Sequence, residues 1–264
     1  MFLINPYILQ ASGGSYILDT YGSAKVAYSF RKLSSTSTLS CRVRRSSDNA
    51  EQDIGFVSDE LDTTSLLSFI GANDGYVTTM YDQTTNSIDV TQSTASRQMK
   101  IVSSGALVTN NSKVAAEASL DSLISSSTIT ASNISMLNVI NITNTSSIYG
   151  RFGIYGDPLA TFTAQSDFTL RYDGGSDSGV LTPTTGNKIR YSERSNTAVY
   201  DYFNSVENIN NTSKSLPDVS GNVALGYASS YFSGYFHETI IWDSSLLSQR
   251  TDLETEINNY YGIY

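Results

Sequence analysis

Between residues 134 and 243 the chain is a succession of short alternating segments punctuated by glycine, aspartate and proline. "ISMLNVINI", "SIYGRFGIYG", "DFTLRYDGG", "NKIRYSERS", "NVALGYA" and "YFSGYFHETIIWD" follow one another at this rhythm. Side chains alternate across a strand, so this pattern gives half-buried strands joined by tight turns. Helices find little room. "AVYDYFNSVENINN" reads as a hairpin turning near Asn204–Ser205. "DTTSLLSFIG" reads as a helix, with Asp62 as N-cap, Leu66, Leu67 and Ile70 on one face and Gly71 as stop. The C-terminal "SLLSQRTDLETEINNYYGIY" reads as a second helix, capped by Ser248, with Leu253, Ile257 and Tyr260 or Tyr261 at helical spacing. The expected fold is all-β: a jelly-roll β-sandwich with a few short helices, including a C-terminal one.

The first half is consistent with this. "SCRVRRSS" alternates, with Cys41 and Val43 on one face and Arg42 and Arg44 on the other. "EQDIGFVSD" and "GYVTTMYDQ" read as strands, and "AKVAYSFRKLS" as a short helix or a strand. Residues 1–23 stand apart: "LINPYIL" is apolar and "ASGGS" is a flexible joint. They form either a docking arm with a hinge or a strand of the main body, which occupies 24–264.

Charge and cysteine content exclude several classes. The net charge of −9 argues against a nucleic-acid binder, the Arg42, Arg44 and Arg45 cluster notwithstanding. A single cysteine, Cys41, excludes an internal disulfide or a cysteine metal cluster. The N-terminus lacks the basic and long apolar regions of a signal peptide, and nothing suggests membrane insertion.

"SGYFHETIIWDSSLL" holds the only histidine, His237, and the only tryptophan, Trp242. It has the look of an active site. On a regular strand, however, Phe236, Glu238, Ile240 and Trp242 share one face, while Tyr235, His237, Thr239, Ile241 and Asp243 share the other. His237 and Glu238 are then on opposite sides, and Trp242 packs beneath the closing helix. "YDQ" (Tyr81, Asp82, Gln83) offers a carboxylate and an amide to satisfy backbone donors at a strand end. Asp173 and Asp177, in "YDGGSDSG", combine with serine and glycine oxygens in a surface turn. No cofactor is expected, although calcium is the one ion suited to such oxygens. Tyr227, Tyr231 and Tyr235 are candidates to stack on sugar rings.

Residues 27–92 carry a resemblance. "AYSFRKL", "RVRRSSD", "QDIGF", "GYVTTMYDQ" and the trailing "TQ" are similar, in order and spacing, to the catalytic-domain family of fungal arabinofuranosidase B, and especially to its phage and prophage members. "GYFHETIIWDSSLL" resembles the last strand of concanavalin A-like, laminin-G-type jelly rolls, with Gly234, Phe236, Glu238, Ile241 and Trp242 in place and Glu238 as a framework carboxylate. The resemblance implies a nucleophilic glutamate in a central strand, an acid aspartate just after a Leu-Gly segment, and a vicinal cysteine pair. Here "DFTLRYDGGSDSG" offers Asp173 and Asp177 but no glutamate, and Tyr227, Ala228 and Ser229 follow the "LG". The expectation is therefore a non-enzymatic bacteriophage virion structural protein: a tail, fibre or head-surface component made in the host cytoplasm without a signal peptide. Its partners would be other virion proteins through the N-terminal arm, further copies of itself in a trimer, and host surface polysaccharide. The rival is a glycoside hydrolase of arabinofuranosidase type with relocated carboxylates, Asp173 or Asp177 with Glu238. A third class is a bacterial cell-surface adhesin.

Overall fold

A computed structural model describes residues 16–22, 24–119, 121–144, 151–155, 162–165, 169–172, 175–178, 182, 184–227 and 232–264. The alternating segments are antiparallel strands. They join into one continuous curled sheet that folds back over itself as a jelly-roll β-sandwich. The described helices of more than three residues are α1 (Ile17–Thr20), α2 (Thr63–Ile70) and α3 (Arg250–Tyr261).

The front layer runs Glu51–Val57, Leu39–Arg45, Gly75–Met80, Lys100–Ser103, Ala116–Ser119, Ser233–Trp242, Ile134–Ile142, Gly186–Arg194. The back layer contains Leu123–Ala131, Val219–Tyr227 and Arg151–Tyr155. The short strand Val90–Thr91 pairs with both Gly75–Met80 and Leu123–Ala131 and so ties the layers together. The main core lies between them. Val43, Val77, Ile101, Ile140 and Phe236 come from the front, and Leu123, Ile129, Phe152 and Val223 from the back.

A second core covers the opposite, outer side of the front layer. Leu137, Val139, Ile189, Ile240 and Trp242 pack under Leu253, Ile257 and Tyr261 of α3, joined by Ile17 and Leu18 of α1. Ile134–Ile142 is consequently buried along its whole length. Part of the N-terminal lead-in thus packs on the body, and residues 1–15 lie outside the described residues.

Local chemistry explains most elements. The Asp62 side chain accepts the Ser65 N–H at 2.9 Å, Leu66 and Ile70 are buried, and Gly71 ends α2 at φ +61°. Asp62→Ala therefore lowers stability, readable as an earlier urea midpoint at unchanged slope. Asn204 and Ser205 turn their hairpin at φ 48° and 63°, the left-handed values that a two-residue loop needs to match strand twist. "AKVAYSFRKLS" is a strand, Val26–Ser29, paired with Ser233–Trp242.

The C-terminal helix differs from expectation. Ser248 sits inside a tight 3-10 turn, Leu247–Gln249, and α3 begins at Arg250. Leu246 is the reason: its N–H donates to Ser135 Oγ at 2.9 Å and its side chain is buried, so the chain must turn before a helix can leave the sheet.

Candidate functional site

The last strand departs from a simple strand at its histidine. Opposite Ile134–Ile142, the register steps from Val139↔Glu238 to Ile140↔Phe236, so His237 is the extra residue of a β-bulge. The bulge falls where the strand changes its other neighbour: Ser233–Phe236 pair with Ala116–Ser119, and Glu238–Ile241 with Val26–Ser29. One inserted residue reverses the facing of all that follow. Phe236 and Ile241 both enter the main core, and Glu238, Ile240 and Trp242 join the α3 side. The expectation of opposite faces for His237 and Glu238 is therefore corrected. Both meet Tyr261 of α3: the His237 ring at 5.3 Å between centroids, and Glu238 through the tyrosine hydroxyl at 3.0 Å.

They do not form a catalytic pair. Glu238 is fully buried and its oxygens are occupied: Arg31 donates to both, at 2.8 and 3.0 Å, and Ser29 Oγ donates at 2.9 Å. His237 is 2% exposed. Its Nδ1–H donates to the Val114 carbonyl at 3.0 Å, and Nε2 lies 3.1 Å from the Asn110 side-chain amide, which clamps the 109–114 hairpin to the sheet. Burial lowers the imidazole pKa to about 4, against the opposing pull of the Val114 carbonyl and Glu238. A folded value below the unfolded 6.5 means that this contribution is present above pH 6.5 and lost as pH falls toward 4. The stability gap between the parent protein and His237→Gln should thus close by about 3 kcal/mol across that window, in urea titrations at stepped pH.

"YDQ" also works as framework. Asp82 accepts N–H groups of Ala27, Thr84 and Ile88, each at 3.0 Å. Gln83 accepts from Leu33 N–H at 2.8 Å and donates to the Ser29 and Arg31 carbonyls at 3.0 and 2.9 Å. Tyr81 donates its hydroxyl to Asp53 at 2.6 Å. Trp242 is fully buried beneath α3.

An open cleft of about 580 Å³ lies elsewhere, on the outer face of the front layer beyond the α3 core. It is lined by Arg44, Tyr76, Gln98, Lys100, Glu117 and Asp121 among others. Sheet register builds its floor. Arg44 stands opposite Tyr76, Tyr76 opposite Lys100, Lys100 opposite Glu117, and Glu117 opposite Tyr235. The row continues through Asn141 to Asn187, which share a hydrogen bond of 2.7 Å. Paired residues in register share a face, so the result is a polar ladder across the strands.

Asp121 stands at one end of the cleft, at the crossover between layers. Its carboxylate accepts the Ser119 N–H at 2.7 Å. Burial pushes its pKa up to about 6; the Ser119 bond opposes this and the charge of Glu117 adds to it. Asp121 also packs on the "LG" segment. Gly226 has φ +76°, and a Cβ there would lie 2.7 Å from the Asp121 carbonyl oxygen. Gly226→Ala is therefore both strained and crowded, and should displace Asp121 while lowering the melting temperature.

Of the residues singled out in the sequence, Tyr235 lies in the ladder beside Glu117. The side chains of Tyr227 and Asp177, and all of Asp173 and Tyr231, lie outside the described residues. The surface turn expected around the two aspartates is corrected in part, since Gly175–Ser178 is a strand paired with Thr169–Tyr172 and Asp177 stands on it. Glu117 and Asp121 escaped the sequence reading. They sit four apart in "AAEASLDSL", a stretch with no motif, and only the strand register and the burial of Asp121 single them out.

No family model matches the chain, and no curated protein sequence is similar to it. Solved structures are similar. A variant of a family-54 glycoside hydrolase, an α-L-arabinofuranosidase soaked with 4-nitrophenyl α-L-arabinofuranoside, has a TM-score of 0.73 at 14% identity, over 91% of this chain and 64% of its own. A family-54 α-L-arabinofuranosidase soaked with a cyclic sulfate inhibitor has a TM-score of 0.71 at 13% identity, over the same shares. An arabinofuranosidase complexed with arabinofuranosyl-α-1,2-xylobiose has a TM-score of 0.64 at 15% identity, over 89% of this chain and 62% of its own. This chain thus spans less than two thirds of the length of these three structures. At these identities the likeness establishes the fold, and the resemblance read from residues 27–92 holds at that level. The expectation of a non-enzymatic virion protein is corrected by the same matches: the structures sharing this fold are glycoside hydrolases, and no virion component is among the three.

Proposed function

We propose that this chain is a glycoside hydrolase of the arabinofuranosidase type, with Asp121 and Glu117 as its working carboxyls. The observation that carries the reading is their pairing in an open polar cleft, with the proton affinity of one raised by burial and by the other. Glycoside hydrolysis needs that asymmetry: one carboxyl holds a proton for the leaving oxygen, while a second stays ionised to meet the positive charge developing on the sugar. Asp121 is the proton donor and Glu117 the partner that meets the developing charge. Support also comes from the fold and from position. Asp121 rests on Gly226, beside the Leu-Gly segment after which the resembling family carries its acid. The relocated pair is accordingly Asp121 and Glu117, because Glu238 is fully committed to Arg31, Ser29 and Tyr261.

The test is turnover of 4-nitrophenyl α-L-arabinofuranoside. The parent protein should release 4-nitrophenol. Asp121→Asn and Glu117→Gln should each lower kcat at least about 100-fold, with circular dichroism unchanged. kcat/KM should fall above about pH 6, as free Asp121 loses its proton. A parent protein that is folded and inert toward this substrate would sink the reading.

A further inference from the structure

The basic triplet of the sequence separates in the folded chain. Arg42 forms a two-pronged pair with Asp53, at 2.6 and 3.0 Å, and Arg45 another with Asp48, at 3.0 and 2.6 Å. Lys100 is matched by Asp74 at 3.1 Å. Arg44 is the exception. Its Nε donates to Gln98 Oε1 at 2.8 Å and its Nη1 to Asn49 Oδ1 at 2.9 Å, both neutral acceptors. The guanidinium lies 5.0 Å from the centre of the Tyr76 ring. Gln98 is itself buried and anchored, donating to the Gln92 carbonyl at 2.8 Å. Glu51 is the register partner of Arg44 across the strands but makes no ion pair with it. In a chain of net charge −9, a cation held by an amide, an aromatic face and an asparagine, on the wall of a cleft, is set up for an anion it does not itself supply.

We propose that the cleft accepts an acidic saccharide, with the carboxylate of a uronic acid unit bound by Arg44. The inference rests on reading the cleft as a glycoside hydrolase site and adds the substrate class. Three strand spacings, roughly 14 Å in all, separate Arg44 from Glu117 along the ladder. A saccharide laid across the strands would place its scissile bond at Glu117 and Asp121 and a uronate some sugar units away, over Tyr76 and beside Arg44. Cations from both neighbouring strands lie near the Tyr76 ring, Arg44 at 5.0 Å and Lys100 at 5.6 Å, which holds it as a fixed part of the floor between the two ends.

The experiment compares binding of glucuronoarabinoxylan with binding of the same polymer after its uronates are reduced to neutral sugars. Asp121→Asn protein is used so that neither polymer is cleaved. The acidic polymer should bind at least tenfold more tightly, and the ratio should shrink as sodium chloride is raised. Arg44→Gln should bring the ratio to about one, and Glu51→Gln, at an exposed position, should raise it. A ratio near one in the starting protein, a ratio untouched by Arg44→Gln, or a ratio lowered by Glu51→Gln overturns the inference. Failures of the two readings are separable. A retained ratio with no turnover of 4-nitrophenyl α-L-arabinofuranoside removes the hydrolase and leaves an acidic-glycan site. Turnover with a ratio of one removes the uronate and leaves the hydrolase.

Discussion

Replacing Glu238 with alanine should lower the free energy of unfolding by about 3–5 kcal/mol. The carboxylate has no exposed surface, and Arg31 is only 12% exposed at its side chain, so the change strands a cation between sheet and helix with no water to take over. Arg31 loses both prongs of its pair, Ser29 and Tyr261 lose their acceptor, and α3 loses a tie to the sheet. Urea unfolding monitored by tyrosine and tryptophan fluorescence reads the change. Most of it should be the penalty for the stranded charge rather than the worth of the pair. The double variant Arg31→Met with Glu238→Leu, which removes both charges, should therefore recover much of the loss. A single alanine change within 1 kcal/mol of the parent would contradict this account.

Trp242→Ala should remove about 3–5 kcal/mol as well, by a different route. Trp242 is the largest of the fully buried side chains and forms the floor under Leu253 and Ile257. Truncation opens a void that the sheet cannot collapse into, because its backbone is locked by pairing on both sides, to Ile134–Ile142 and Val26–Ser29. The damage should be local first: amide hydrogen exchange in α3 should quicken more than in the main core. Trp242→Phe gives the contrast. The indole N–H is buried without a hydrogen-bond partner, so phenylalanine loses volume but also removes an orphaned donor. Its destabilisation should be well below that of alanine, and an equal loss would mean that the N–H is satisfied by water.

The legible parts of this protein are those that depend on near neighbours. Alternation placed Cys41 and Val43 inward and Arg42 and Arg44 outward, and they lie so. An aspartate three residues before a serine N–H capped α2, and the Asn204–Ser205 turn required only two residues able to take positive φ. Ser248 failed as a cap for a reason outside its own segment, since Leu246 is pinned to Ser135 across the sheet.

The bulge at His237 was not legible. Nothing in "GYFHETII" marks an extra residue; it arises because the strand must leave Ala116–Ser119 and take up Val26–Ser29 at that point. The single-residue shift then decides the facing of everything from Glu238 onward. The cleft was hidden for the same kind of reason. Arg44, Tyr76, Lys100, Glu117 and Tyr235 come from five strands scattered over the chain, and only register lines them up.

By itself, then, the sequence determined a β-sandwich of short alternating strands, its Asn204–Ser205 turn, and the cap of α2, because periods of two and short hydrogen bonds are properties of adjacent residues. It also placed a lone histidine and tryptophan in the last strand. Which side of that strand they occupy, which arginine of the basic triplet goes without a carboxylate, and which aspartate holds its proton near pH 6 were decided by the tertiary structure. Facing depends on register against distant strands, and proton affinity depends on how much water the surrounding layers leave.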